Sequence, residues 1–136
     1  MKVHNMYVDG GAYNNGRYNQ SARICVVLEN EVLFHEDIGN HTNNEAEFMA
    51  IERGLEWISN NIKDDVVVVF SDSKLAVNMV NYIWQGQIPR LKDIRDRIAG
   101  KLPKNAVVKW VYRDYNRAGQ LLEFNLPREG TNEPEK

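Results

Sequence analysis

Residues 66–73 read Val66-Val67-Val68-Val69-Phe70-Ser71-Asp72-Ser73. An apolar run with no polar alternation marks a strand covered on both faces, the pattern of a central parallel strand. Such a strand needs helices packed on its sheet. One is expected directly after it, from about Ser73 to Tyr82. Another precedes it: from Asn44 to about Asn60 the residues Ile51, Leu55 and Ile58 recur at helical spacing, and Asn43 or Asn44 can cap the start. Further towards the N-terminus, Ala22 to Leu28 and Glu31 to Ile38 are separated only by Glu29-Asn30, which suggests an antiparallel hairpin. Val3 to Asp9 reads as a first strand, ended by Gly10-Gly11 and the polar Asn14-Asn15-Gly16. Beyond the second helix come a link containing Pro89, a third helix near Leu91 to Ala99, a strand at Ala106 to Tyr112 and a last helix from about Asn116 to Phe124. The order βββαβα(α)βα belongs to the α/β class, with a mixed sheet flanked by helices.

At 136 residues the chain has the length of one domain, expected over 1–126, with a tail at 127–136 of disordered composition. Its 43% hydrophobic and 26% charged residues are those of an ordinary globular protein. The single cysteine, Cys25, lies in an apolar run and reads as a buried thiol in a reducing, cytoplasmic setting. No stretch approaches the roughly 20 apolar residues that span a bilayer, so no membrane partner is expected. The formal net charge of −2 argues against tight nonspecific binding to nucleic acid through basic residues. It leaves open a protein that meets phosphate through divalent cations, where acidic residues form part of the site.

Three acids stand where that chemistry would need them. Asp9 ends strand one before two glycines that let the backbone approach a ligand, although alone it also fits a turn. Asp72 ends the apolar strand, where alone it also fits an N-cap. Glu47 extends the stripe of Ile51, Leu55 and Ile58 by one turn, so its carboxylate points along the core-facing side of the helix. Its partner is either the first helical turn, since Asn44-x-x-Glu47 has capping-box spacing, or a cation. Glu45 faces elsewhere and is expected in solvent. Ligands gather outside the carboxyl ends of parallel strands, so Asp9 and Asp72 converge if strands one and four are parallel neighbours. Clustered carboxylates require neutralisation, and hard oxygen donors without a His or Cys cluster select Mg²⁺ or Mn²⁺ over zinc.

Tyr7-Val8-Asp9-Gly10-Gly11, Thr42-Asn43-Asn44-Glu45-Ala46-Glu47 and Phe70-Ser71-Asp72-Ser73, in this order and at these separations, closely resemble the three motifs of type 1 ribonuclease H. The resemblance spans residues 3 to about 123. It implies a five-stranded mixed sheet, catalysis by Asp9, Glu47 and Asp72 with bound metal, and cleavage of the RNA strand of an RNA/DNA hybrid to leave 3′-hydroxyl and 5′-phosphate ends. It implies no organic cofactor. It also makes Asn43 and Asn44 groove contacts, places the Gly10-Gly11 backbone on the RNA-strand surface, and offers Lys74 and Trp84 as looser substrate contacts. For Trp84 a place over the sheet edge is the alternative.

The chain departs from the family at the fourth acid. Asn116-Arg117-Ala118-Gly119-Gln120 puts Gln120 where an aspartate belongs, so metal binding there is expected to be weak. Glu123, three residues on along the same helical face, is a weak substitute, with an exposed helical charge as the alternative. The loop before this helix also lacks the family's histidine, and His41 beside the asparagine motif reads as a surface imidazole. Two rival readings follow: a noncatalytic binding or interaction module on the same fold, and a related metal-dependent DNA nuclease.

Overall fold

A computed structural model describes residues 1–14 and 20–125; the expected tail at 127–136 lies outside the described residues. The elements are β1 (Val3–Asn14), β2 (Gln20–Leu28), β3 (Glu31–Gly39), α1 (Asn43–Asn61), β4 (Val66–Ser71), α2 (Lys74–Val80), α3 (Pro89–Ala99), β5 (Ala106–Trp110) and α4 (Arg117–Asn125), with a 3₁₀ turn at Arg113–Tyr115. The strands form a five-stranded sheet in the order β3-β2-β1-β4-β5. β1 runs antiparallel to β2 and parallel to β4, and β4 is parallel to β5, so the sheet is mixed as expected. The β2–β3 pair is the anticipated antiparallel hairpin.

The helices divide between the two faces. Met6, Val8, Ile24, Val26, Val67 and Val69 meet Phe48, Ile51, Leu55, Ile58, Met79 and Ile98 beneath α1, α2 and α3. On the other face Cys25 and Val27 pack with Ala118 and Leu122 of α4, and Tyr7 lies against them. Burial of this kind contributes about 1.5–3 kcal/mol for each large apolar side chain. Because α4 packs on β1 and β2, it leaves Val66, Val68 and Phe70 of β4 half-buried. The expected cover on both faces of β4 is therefore complete on one face only. Stacking of Phe70 on Tyr7, at 5.4 Å between ring centres, partly shields the other.

Several boundaries move, each for a local reason. β1 continues through Gly10 and Gly11 to Asn14. A Cβ at Gly10 would lie 2.1 Å from the Ala46 carbonyl oxygen, so the missing side chain there admits α1 against the strand and does not turn the chain. The N-cap of α1 is Thr42, not Asn43 or Asn44: its hydroxyl accepts from the Glu45 backbone N–H and the Glu45 carboxylate accepts from the Thr42 N–H. Ser73 caps α2, which ends at Val80 because Tyr82 takes a positive φ of 59°. Pro89 opens α3 and is no part of a link, since an N-terminal helix position needs no N–H donor. Among the described residues no helix is long and apolar enough to cross a membrane.

Candidate active site

The parallel register of β1 and β4 ends at Tyr7 opposite Phe70. Asp9 and Asp72 follow just beyond that point, where the two chains cease to occupy each other's hydrogen-bonding groups. Glu47 enters from the first turns of α1, which Gly10 lets approach β1. One carboxylate oxygen from each of Asp9, Glu47 and Asp72 can be chosen so that all lie within 4.8 Å of one another. The expected convergence of the three acids is present.

The surroundings orient these groups. Asn116, fully buried, donates from Nδ2 to the Asp72 carboxylate at 3.1 Å and to the Val8 carbonyl at 3.0 Å. Its Oδ1 accepts from the Ala118 and Gly119 backbone N–H groups, so one side chain joins the start of α4 to both parallel strands. Trp110 Nε1 donates to the Asp72 carbonyl at 3.1 Å, and Lys74 lies 4.6 Å above the Trp110 ring. The Ser73 hydroxyl accepts from the Ala76 N–H at the start of α2, and its closeness to Glu47 favours the ionised carboxylate.

Burial, and then the charges of Asp72 and Glu47, push the Asp9 carboxyl up to about 8. Burial likewise raises Glu47 to about 7, with the Asp72 charge adding to it. Arg113 opposes both shifts from the turn before α4. Asp9 is 4% exposed, and its Oδ1 is buried with no hydrogen-bond partner. A buried, unsatisfied anionic oxygen costs several kcal/mol unless something positive meets it. Three hard oxygen donors around it fit a divalent cation such as Mg²⁺ or Mn²⁺.

At the fourth motif Gly119, not Gln120, faces the acids: a Cβ there would stand 3.3 Å from Asp72 Oδ2 and 3.4 Å from Asp9 Oδ2. Gln120 is exposed, and its amide nitrogen donates to the Asp114 carbonyl at 2.7 Å. The side chain of Glu123 lies outside the described residues. Asn43 Oδ1 accepts from the Ala12 N–H at 3.0 Å, Asn44 is exposed, and Gly11 lies between Asn43 and Leu122. Trp84, 46% exposed, sits in the segment joining α2 and α3. His41 is no free surface imidazole, because its Nδ1 lies 3.2 Å from the Glu45 carboxylate. Glu45 itself is buried, contrary to the expectation of a solvated side chain, because Thr42, His41 and Arg90 all engage it. The sequence reasoning missed Arg113, which has no spacing signal, and the structural part played by Asn116.

The RNase H family model matches residues 1–115. Among solved structures, LC11-RNase H1, isolated from compost by a metagenomic approach, is 32% identical, with 91% of this chain and 95% of that one covered and a TM-score of 0.75. LC11-RNase H1 in complex with an RNA/DNA hybrid matches at 30% identity over 88% of this chain and 92% of that one, with a TM-score of 0.70. The N-terminal RNase H domain of rv2228c from Mycobacterium tuberculosis shares the fold at 24% identity, 88% and 95% coverage and a TM-score of 0.65. A search of curated proteins finds no match. Three motif acids gathered on a β3-β2-β1-β4-β5 sheet agree with the family match, and the chain belongs to the ribonuclease H family.

Proposed function

We propose that this protein hydrolyses the RNA strand of RNA/DNA hybrids, with Asp9, Glu47 and Asp72 holding Mg²⁺ or Mn²⁺. The observation that carries this reading is the buried, unpartnered Asp9 oxygen inside a cluster of three carboxylates. The hybrid bound to LC11-RNase H1, a protein similar over nearly the whole chain, supports the choice of substrate.

Divalent cations held here would supply an activated water and stabilise the leaving oxygen. The protein's part is to present its donors in a fixed geometry. Asp9, the most buried of the three, would hold the cation together with Glu47 and Asp72. Asn116 holds the Asp72 carboxylate in place, and Ser73 favours the ionised form of Glu47. Arg113 keeps Asp9 and Glu47 nearer the ionised form that takes a cation. Asn43, Asn44 and the backbone at Gly11 supply polar groups for the 2′-hydroxyls that separate RNA from DNA. Lys74 and Trp84 extend the contact surface.

The test is incubation with an end-labelled RNA/DNA hybrid in Mg²⁺ and separately in Mn²⁺, with Asp72→Asn as the control for contaminating nuclease. Cleavage of the RNA strand alone, absent in the control, is expected. Hybrid bound but uncut in both metals would replace this reading with a noncatalytic module. That second reading draws on one observation: Gln120 is neutral and gives its amide to Asp114. On the catalytic reading the missing charge weakens metal binding, and Gln120→Asp, whose shorter side chain gives up the Asp114 contact and must turn towards the acids beside Gly119, should raise cleavage at limiting Mg²⁺. A variant no faster than the parent contradicts it.

A further inference from the structure

We infer that Glu45, through its ion pair with Arg90, is a positioning residue that holds the first turn of α1, and with it Glu47, at the distance from β1 that the metal centre requires. The inference rests on reading Asp9, Glu47 and Asp72 as a cation site.

Glu45 has only 7% of its surface exposed, and its two carboxylate oxygens have separate tasks. Oε1 accepts from the Thr42 N–H at 3.1 Å and lies 3.2 Å from His41 Nδ1, which closes the cap of α1. Oε2 takes the Arg90 Nε, which reaches it from the start of α3. A helix cap needs the first oxygen alone. The second makes a charge-assisted bond to another helix, at a carboxylate mostly withdrawn from water, where such a bond is stronger than at the surface.

The opposite side of the same turn rests on β1. Gly10 packs against the Ala46 carbonyl, and Asn43 takes the Ala12 N–H. Residues two apart are turned by about 200° around a helix at 3.6 residues per turn, so the Glu45 and Glu47 carboxylates leave α1 on opposite sides. The first turn is thus clamped between α3 on the Glu45 side and β1 on the Glu47 side. Arg90 acts as a strut behind the turn, and the position of Glu47 relative to Asp9 depends on it.

The test is Mn²⁺ binding to the full chain by titration calorimetry, with the melting temperature recorded for every variant. Arg90→Met distinguishes positioning from charge. Removing a nearby cation acts through space to strengthen binding of Mn²⁺, whereas loss of the strut weakens it. We expect about tenfold weaker binding, since small misplacements of site groups have effects of this size or larger. Arg90→Lys should recover part of the loss. Glu45→Gln combined with Arg90→Met should be no weaker than the weaker single variant, because both break one pair. Unchanged or tighter binding in Arg90→Met, or losses that add in the double variant, would overturn the inference alone. A parent protein that binds no Mn²⁺ would overturn the metal reading and this inference with it.

Discussion

The two ends of β1 handle charge in opposite ways. Near its N-terminal end His4 lies between two acids, with Nε2 2.8 Å from Asp65 Oδ2 and Nδ1 3.5 Å from Glu29 Oε1. Five residues along the same strand Asp9 is buried beside Glu47 and Asp72, with Arg113 as a partial counterweight. The first end is complete as it stands and ties the start of β1 to the segment before β4. The second holds like charges together at a cost in stability, an arrangement that fits the binding of a further positive charge. The contrast separates a structural ionic contact from a functional one by what each leaves unsatisfied.

Both ends weaken as pH rises, for different reasons. His4 is raised from its ordinary value of 6.5, chiefly by its hydrogen bond to Asp65. Its stabilisation is fully present below pH 6.5 and is lost as pH climbs through the folded value. Asp9 and Glu47 are raised from 3.8 and 4.5 to about 8 and about 7. The folded state therefore holds protons that the unfolded chain has released, and metal-free stability falls from about pH 4 to about pH 8. On the proposed metal reading, a divalent cation should reverse the second loss and leave the first untouched.

The largest expected effect that would sharpen the comparison is on cleavage. Asp9→Asn should lower the rate on a hybrid substrate on the order of a thousandfold or more, as expected when several kcal/mol of metal-derived stabilisation disappear. His4→Gln should stay within about twofold of the parent, since no part of its role touches the acids; a large loss there would erase the distinction between the two ends. Next in size is metal-free stability. At pH 8 Asp9→Asn should melt about 5 °C above the parent, because it removes a buried like charge. A melting temperature equal to or below the parent's would show that the cluster carries no repulsion. Smallest is the clamp at the other end: His4→Gln should melt about 1–2 °C below the parent at pH 5.5 and level with it at pH 9. An equal loss at both pH values would make His4 a packing residue.

Much of the site is legible in the chain because its signals are local or sit at fixed points of the fold. The unbroken Val66–Phe70 run implied a parallel strand, and strand ends then brought Asp9 and Asp72 together. Helical spacing placed Glu47 on the inner side of α1. What escaped depends on partners distant in sequence. The burial of Glu45 is set by Arg90, forty-five positions away, so the helix alone suggests solvent. Asn116 bonds across 108 positions to Val8 and is visible only once α4 is seated on the sheet. Arg113 stands in a three-residue turn with no periodicity to read. The cap is legible too, since Thr42-x-x-Glu45 is itself a capping box, but the neighbouring asparagines and the same spacing at Asn44-x-x-Glu47 compete with it in the sequence.

If the proposed metal reading holds, the acids around Asp9 are there to receive a cation. The direct measurement is the melting temperature at pH 8 with and without Mn²⁺, for the parent and for Asp9→Asn. Binding at a hundredfold excess over Kd stabilises the folded state by about 2.7 kcal/mol, so the parent should melt several degrees higher with Mn²⁺ while Asp9→Asn hardly moves. Equal shifts in the two proteins, or none in the parent, would contradict the claim.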